Sequence, residues 1–429
     1  MNNFNYKNGE LFIEGINVSD IAEKIKTPFY CYSLNHLKEQ YTKLDESIEL
    51  EDYEICFSIK SNSNQSIIKT FSKLGSGADV VSIGELKRAL KAGIPSKKIV
   101  FSGVGKTSEE IEYAIKNNIL MFNVESISEL KKISQVSKDL NIQSNISLRI
   151  NPDISAGGNE KISTGKAQDK FGIDWKSTIE SYDFAASLPG IKIIGIDFHI
   201  GSQINEIKPF EESLDLLVGI ICELRKKGHD IKVFDIGGGL GVKYHPKEKP
   251  LDIKKYGKLL SEKLGEIECK IIIEPGRFLT ANSAILVTKI IYIKNTETNN
   301  FLIVDAAMND FIRPTLYGSY HEIITINEDK KGNLSNYDIV GPVCETGDYF
   351  GKKIPIGKVD EEDLLAIKSV GAYGSVLSSN YNTRASINEI LVNNDEFEII
   401  RDRIEDEELI NRDKICLLYT SDAADEGLG

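Results

Sequence analysis

No apolar run in the chain approaches the length of a membrane span, so the expected fate is a soluble one. No secretory leader is expected either, because the opening "MNNFNYKNGE" does not run through basic, apolar and small-residue blocks in turn. Cysteine is scarce: six are scattered over 429 residues (Cys31, Cys56, Cys222, Cys269, Cys344 and Cys416). None has C-x-x-C spacing and several sit inside apolar runs, which argues against a disulfide framework and for reduced thiols. Basic charge is in deficit, with 52 Lys and Arg against 65 Asp and Glu. The resulting net charge of −13 and pI near 5.1 repel a nucleic-acid backbone or an anionic membrane. What remains is a cytoplasmic protein acting on a small molecule, with no metal, nucleic acid or membrane expected. Internal repeats are absent as well.

The length exceeds one ordinary core, and 41% apolar residues suffice for a large unit and a smaller one. From Ser33 to Glu274 short β-branched runs alternate with longer amphipathic ones. The strand candidates are "YEICFSI", "GADVV", "KIVFSG", "ILMFNV", "NISLRI", "KIIGIDFH", "IKVFDIG" and "KIIIE". Helical periodicity fills the gaps between them, as in "NQSIIKTFSKL" and "TSEEIEYAIKNN", and "SLNHLKEQYTKLDESI" precedes the first strand. Eight of each over roughly 250 residues is the inventory of a (β/α)8 barrel of the TIM type. A doubly wound open sheet competes, since alternation does not say whether a sheet closes. After Phe278 strands separated by polar turns take over, which predicts a second, mainly antiparallel β domain. The expected division is a cofactor-binding barrel over residues 33–280 and a β domain over 281–415 together with 1–32. Residues 416–429, "CLLYTSDAADEGLG", change composition abruptly and resemble the translation of a sequencing adaptor, so they are set aside as non-native.

A parallel barrel builds its active site where the strands end at their carboxyl edge. Those positions are polar here: Lys60, Arg149 and Asn151, His199, Gly237 to Gly239, and Glu274 to Arg277. Singly, each has a bland reading. Lys60 reads as a solvated or salt-bridged amine, His199 as a hydrogen-bonded core imidazole, and Glu274 with Arg277 as a structural ion pair. The run "FDIGGGLGVKYH" fits neither common nucleotide fingerprint, because Lys243 is followed by Tyr244 and no G-x-G-x-x-G spacing is present. A backbone cradle for one phosphate stays open. Taken together, an amine, a buried carboxylate, a phosphate cradle and an imidazole at one barrel mouth are the parts that hold pyridoxal 5'-phosphate.

The motifs "FSIKSN", "FHIGSQI", "DIGGGLGVKY", "EPGRFL", "RPTLYGSYHEI", "GPVCETGD" and "GAYGSVLSSNYN" occur in order from about residue 10 to 415, and the chain resembles the diaminopimelate decarboxylases, fold-type III (alanine-racemase-like) pyridoxal phosphate enzymes. The resemblance implies decarboxylation of meso-2,6-diaminopimelate to L-lysine. Lys60 would be the covalent anchor, His199 would stack on the ring and Glu274 would bind its nitrogen. Ser202, Gly237, Gly238, Gly239, Gly276 and Tyr373 would lie near the phosphate. Arg277, Arg313, Tyr317 and Glu345 would hold the substrate's distal end, with Tyr373 beside them, and Cys344 would donate a proton. In this family Cys344 and Glu345 come from the second subunit of a homodimer. Three departures stand out: Ser58 and Ser61 flank the lysine where Ala is usual, and Asn159 stands near a position usually His, although Lys170, Phe171 and Gly172 keep the "KFG" pattern. The rival readings are a related decarboxylase of carboxynorspermidine, ornithine, lysine or arginine, a non-catalytic cofactor-binding homologue, and a racemase.

Overall fold

The computed structural model describes residues 3–155, 157, 164–166, 168–328, 334–416 and 418. Eight parallel strands carry the first part of the chain: β1 (Tyr53–Ser58), β2 (Gly77–Val80), β3 (Ile99–Phe101), β4 (Met121–Val124), β5 (Ser144–Asn151), β6 (Ile191–Asp197), β7 (Val233–Asp235) and β8 (Lys270–Ile273). Each pairs with the next, and β8 pairs with β1 through Ile273 opposite Ile55, so the sheet closes and the open-sheet alternative falls. Every strand contributes residues to two environments because side chains alternate across it. Ile55, Phe57, Ala78, Val80, Phe122, Ile146, Leu148, Ile196, Phe234, Ile271 and Ile273 belong to the large core shared with the surrounding helices. Cys56, Val100, Met121, Val233 and Ile272 form a separate apolar cluster within the barrel. One pleat further toward the carboxyl ends, the inward positions turn polar: Ser58, Asp79, Ser102, Asn123, Ser147, Asp197, Asp235 and Glu274 are all buried.

The helices begin where side-chain caps satisfy their first amides. Asn64 accepts from Ser66 N ahead of Gln65–Lys73, and Ser82 accepts from Glu85 N ahead of Ile83–Lys91. Thr107 and Glu110 cap each other's backbone reciprocally ahead of Ser108–Lys116. Such caps stop each loop a few residues after its strand, which keeps the strand-end side chains at the mouth.

The remaining strands build a mixed, mostly antiparallel sheet in the order Tyr349–Ile356, Ser335–Val340, Asn300–Val304, Ala284–Asn295, Phe29–Ser33, Asn388–Asn393, Glu396–Arg401, with Leu364–Lys368 and Ile323–Thr325 branching from Ala284–Asn295. Phe29–Ser33, at the end of the early segment expected to join this unit, runs antiparallel to Ala284–Val287 and parallel to Asn388–Val392. The other early strand, Glu10–Ile13, sits in a separate three-stranded sheet and touches this unit through Leu11 N, which donates to Ile326 O at 2.8 Å. Two bonds stitch the β unit to the turn after β1: Tyr373 N donates to Ser61 O (2.8 Å) and Asn62 Nδ2 to Gly371 O (3.0 Å). Residues 417 and 419–429 of the tail lie outside the described residues, and no described helix is long and apolar enough to cross a membrane.

Phe57 is fully buried and lies 4.5 Å, ring to ring, from Phe71 of the first helix after β1. Phe57→Ala is expected to lower unfolding free energy by about 3–5 kcal/mol in a denaturant titration. A loss below about 1 kcal/mol would contradict the packing described.

Candidate active site

β1 ends in a single turn of 3₁₀ helix, Ile59–Ser61, which lifts Lys60 off the strand and over the barrel mouth. Its Nζ lies 2.6 Å from Asp79 Oδ2 at the end of β2; the lysine side chain is 35% exposed and the aspartate 0%, so the amine is reachable while its counter-ion is sealed. Burial works to lower the Lys60 pKa, but the Asp79 and Glu274 carboxylates outweigh it and raise it. Asp79, opposed by burial, is held below the usual carboxylate range chiefly by the charge of Lys60. Ser58 Oγ donates to the same Asp79 oxygen (2.7 Å) and lies 3.1 Å from Glu274 O. Ser58 therefore bonds directly to the lysine's counter-ion.

Glu274, next after β8, is buried and its pKa is pushed up to about 7 by burial and then by the nearby Asp79 charge. Below it lies a polar tier. Asn123 Nδ2 donates to Asp235 Oδ2 (2.9 Å) and Ser102 Oγ (3.1 Å) and reaches Glu274 Oε1 at 3.4 Å. Ser147 Oγ donates to Asn123 Oδ1 at 2.6 Å, which fixes the orientation of the amide. Burial drives the pKa of Asp197 and Asp235 well above the ordinary range. Arg149 is paired with Glu125 at 2.7 Å and lies 4.0 Å from Asp197. Asp79 Oδ1 and Asp197 Oδ1 are buried and find no hydrogen-bond partner among the described residues. Carboxyl groups outnumber basic side chains in this tier, so its floor offers hydrogen-bond acceptors to a protonated guest.

The glycine run turns tightly after β7: Gly237 and Gly239 have φ of +64° and +92°, and a Cβ on Gly238 would stand 2.0 Å from Glu274 O. Gly237 N donates to Asp235 Oδ1 (3.0 Å) and Gly238 N to His199 Nδ1 (3.2 Å). His199 therefore carries its proton on Nε2, and burial followed by Arg149 and Lys60 pushes its pKa well below the usual value, keeping it neutral. On Gly276 a Cβ would meet Ser61 Cβ at 2.9 Å, so this glycine lets the β8 turn close against the Lys60 turn.

The rim carries the opposite charge. Arg277 and Arg313 are each 5% exposed, and no carboxylate among the described residues pairs with either. Arg277 donates to Ser202 Oγ (3.1 and 3.3 Å) and, through Nη1, to Tyr244 OH (2.7 Å). Its guanidinium lies 4.8 Å from the Tyr373 ring centre, and that of Arg313 lies 5.3 Å from Tyr244 and 5.6 Å from Tyr317. Arg313 is held below its ordinary pKa by burial and by Arg277.

These features suit pyridoxal phosphate: a reachable amine, a buried acid among further carboxyl groups, a neutral imidazole, and buried guanidiniums without a carboxylate partner among the described residues. The structure thus brings together Lys60, His199, Ser202, Gly237, Gly238, Gly239, Glu274, Gly276, Arg277, Arg313, Tyr317 and Tyr373. It does not bring Cys344 and Glu345 to Lys60 within the one chain. Cys344 is solvent-exposed, its amide donating to Asn382 Oδ1 (3.2 Å), and Glu345 bonds the Tyr381 hydroxyl. Asn159 lies outside the described residues. Sequence reading missed Asp79, Asp197, Asp235 and Asn123, although all four sit at strand ends and the alternation of "GADVV", "GIDFH", "VFDIG" and "MFNV" puts them on the inward face. It assigned no role to Tyr244 and His321 either, although they lie within "DIGGGLGVKY" and "RPTLYGSYHEI".

The model of the pyridoxal-dependent decarboxylase pyridoxal-binding domain matches residues 34–281. A diaminopimelate decarboxylase of Zymomonas mobilis is 44% identical over 411 residues, 95% of this chain and 97% of that enzyme. Among solved structures, diaminopimelate decarboxylase from Helicobacter pylori complexed with L-lysine is 40% identical with a TM-score of 0.89, covering 92% of this chain and 99% of that one. The enzyme from M. jannaschii in complex with L-lysine is 35% identical with a TM-score of 0.91, covering 97% and 98%.

Asp79→Asn removes the largest influence raising the Lys60 pKa, so the amine should lose its proton at lower pH. The pH profile of borohydride-trapped pyridoxal phosphate on Lys60, read by mass spectrometry, is expected to move to lower pH in this variant. An unmoved midpoint would mean that Asp79 is not the effective counter-ion.

Proposed function

Because the chain belongs to the diaminopimelate decarboxylases, within the pyridoxal-dependent decarboxylases, we propose that it converts meso-2,6-diaminopimelate to L-lysine and carbon dioxide. The observation that carries the substrate class is the pair of buried guanidiniums, Arg277 and Arg313, without a carboxylate partner. Burying an unpaired ion costs several kcal/mol, and two adjacent cations add repulsion, so this rim is built for an anionic guest. A diamine precursor such as ornithine has no distal carboxylate to offer. Diaminopimelate has one, and a guanidinium fork suits it.

Lys60 would hold the cofactor through its amine, Glu274 would lie at the ring nitrogen, and His199 would face the ring. Ser202, Gly276, Tyr373 and the turn of Gly237, Gly238 and Gly239 would receive the phosphate. When bound, pyridoxal phosphate supplies the electron sink that takes up the charge left on the α-carbon as carbon dioxide departs. Glu274 would accept a hydrogen bond from a protonated ring nitrogen and so keep that proton in place. Arg277 and Arg313, with Tyr317, grip the far carboxylate and so decide which end of the substrate reaches Lys60. A proton must then return to the α-carbon, and the Cys344 thiol of a second copy delivers it while Glu345 of that copy receives the distal ammonium. The exposure of both residues in the single chain supports a homodimer with shared sites. The same reading divides the chain into a barrel over 33–280 and a β domain over 281–415 with 1–32. It places the enzyme in the cytoplasm, in keeping with six unpaired cysteines.

Purified protein supplied with pyridoxal phosphate is expected to release carbon dioxide from meso-diaminopimelate and accumulate L-lysine by mass spectrometry; comparable turnover of ornithine would overturn the substrate assignment. Cys344→Ala should keep the cofactor's absorbance and lose about 10²- to 10⁴-fold in turnover, whereas Lys60→Ala should leave nothing for borohydride to trap. Full turnover in the cysteine variant would assign proton delivery to another group.

A further inference from the structure

The two rim arginines raise a question of placement, since buried like charges without a counter-ion would turn away from each other unless held. Arg277 is held by Ser202 and Tyr244. Among the described residues Arg313 has one hydrogen bond: its Nε donates to His321 Nε2 at 3.3 Å. His321 is 1% exposed and lies between the Tyr244 ring (5.1 Å, 74°) and the Phe311 ring (4.7 Å, 84°). Its other nitrogen, Nδ1, is 2.9 Å from Lys368 O.

Those partners leave one arrangement of protons. A carbonyl oxygen only accepts, so Nδ1 carries the hydrogen; a guanidinium nitrogen only donates, so Nε2 offers its lone pair. The imidazole must be neutral to do this, and burial followed by the Arg313 charge lowers its pKa to about 3. The charges facing it are Arg313 and Arg277, both cations, and no carboxylate is among the groups that act on it. With Nε engaged, both terminal nitrogens of Arg313 have no acceptor among the described residues, and the two-pronged end faces a ligand carboxylate.

We propose that His321 is a positioning residue for substrate specificity: by accepting from Arg313 Nε while anchored on Lys368 O, it aims the guanidinium fork at the distal carboxylate. The inference rests on the reading that Arg277 and Arg313 bind that carboxylate.

The product L-lysine keeps the distal carboxylate and cadaverine lacks it, so the two compounds separate the rim from the rest of the site. Competitive inhibition by each is measured on the cofactor-loaded enzyme, on His321→Phe, which keeps a packed ring without the acceptor, and on His321→Gln, which restores an acceptor. L-lysine is expected to inhibit wild type more strongly than cadaverine does. His321→Phe should weaken lysine about tenfold to a hundredfold, leave cadaverine unchanged, and raise KM for meso-diaminopimelate more than it lowers kcat; His321→Gln should recover most of the loss. If the Phe variant keeps the full preference for lysine, the role given to His321 is wrong while the arginine reading stands. If wild type shows no preference for lysine, the arginine reading fails and this inference with it. Nitrogen NMR of histidine-labelled wild type tests the same geometry without a variant: one ring should stay in the Nδ1–H neutral form down to about pH 5, and a His321 that titrates near the ordinary value would overturn the proposal.

Discussion

The site depends on one contact, the 2.6 Å pair between Lys60 and Asp79 inside the mouth of a closed barrel. An amine in that position would shed its proton or leave the interior without a partner, and a carboxylate at 0% exposure would do the converse. Each stabilises the charged form of the other. The pair keeps the lysine folded over the mouth while its side chain remains accessible to an incoming aldehyde.

Charge is then separated along the barrel axis. The tier beneath Lys60 is rich in carboxyl groups, with burial raising the pKa of Asp197 and Asp235, whereas the rim presents two guanidiniums that no carboxylate among the described residues pairs with. A ligand cationic at the ring-nitrogen end and anionic at the others relieves both. The fold pays for this arrangement with the apolar plug of Cys56, Val100, Met121, Val233 and Ile272, which closes the barrel below the polar tier.

Much of this was legible in the residues. The strand-end rule located Lys60, His199, the glycine run and Glu274 because a parallel barrel gathers its strand ends on one face. The same rule reaches Asp79, Asp197 and Asp235 once the inward phase of each strand is followed beyond its last apolar residue. It cannot reach His321 or Tyr244. Those two matter through a long-range convergence, the loop after β7 meeting the segment after Arg313, and neither segment has a periodicity that says which partner it will find. The placement of Phe29–Ser33 was hard for a related reason: pairing is set across more than 250 residues of intervening chain, where an apolar run is compatible with several neighbours.

That early strand has a consequence for biogenesis. All five of its residues are buried in the finished protein, flanked on one side by Ala284–Val287 and on the other by Asn388–Val392. During synthesis the barrel segments emerge and can close first, while "FYCYS" waits with both backbone edges unpaired until the last part of the chain leaves the ribosome. A nascent polypeptide of this design carries a sticky edge through most of its translation, and a message cut short before Asn388 would leave that edge permanently open to whatever strand lies nearby.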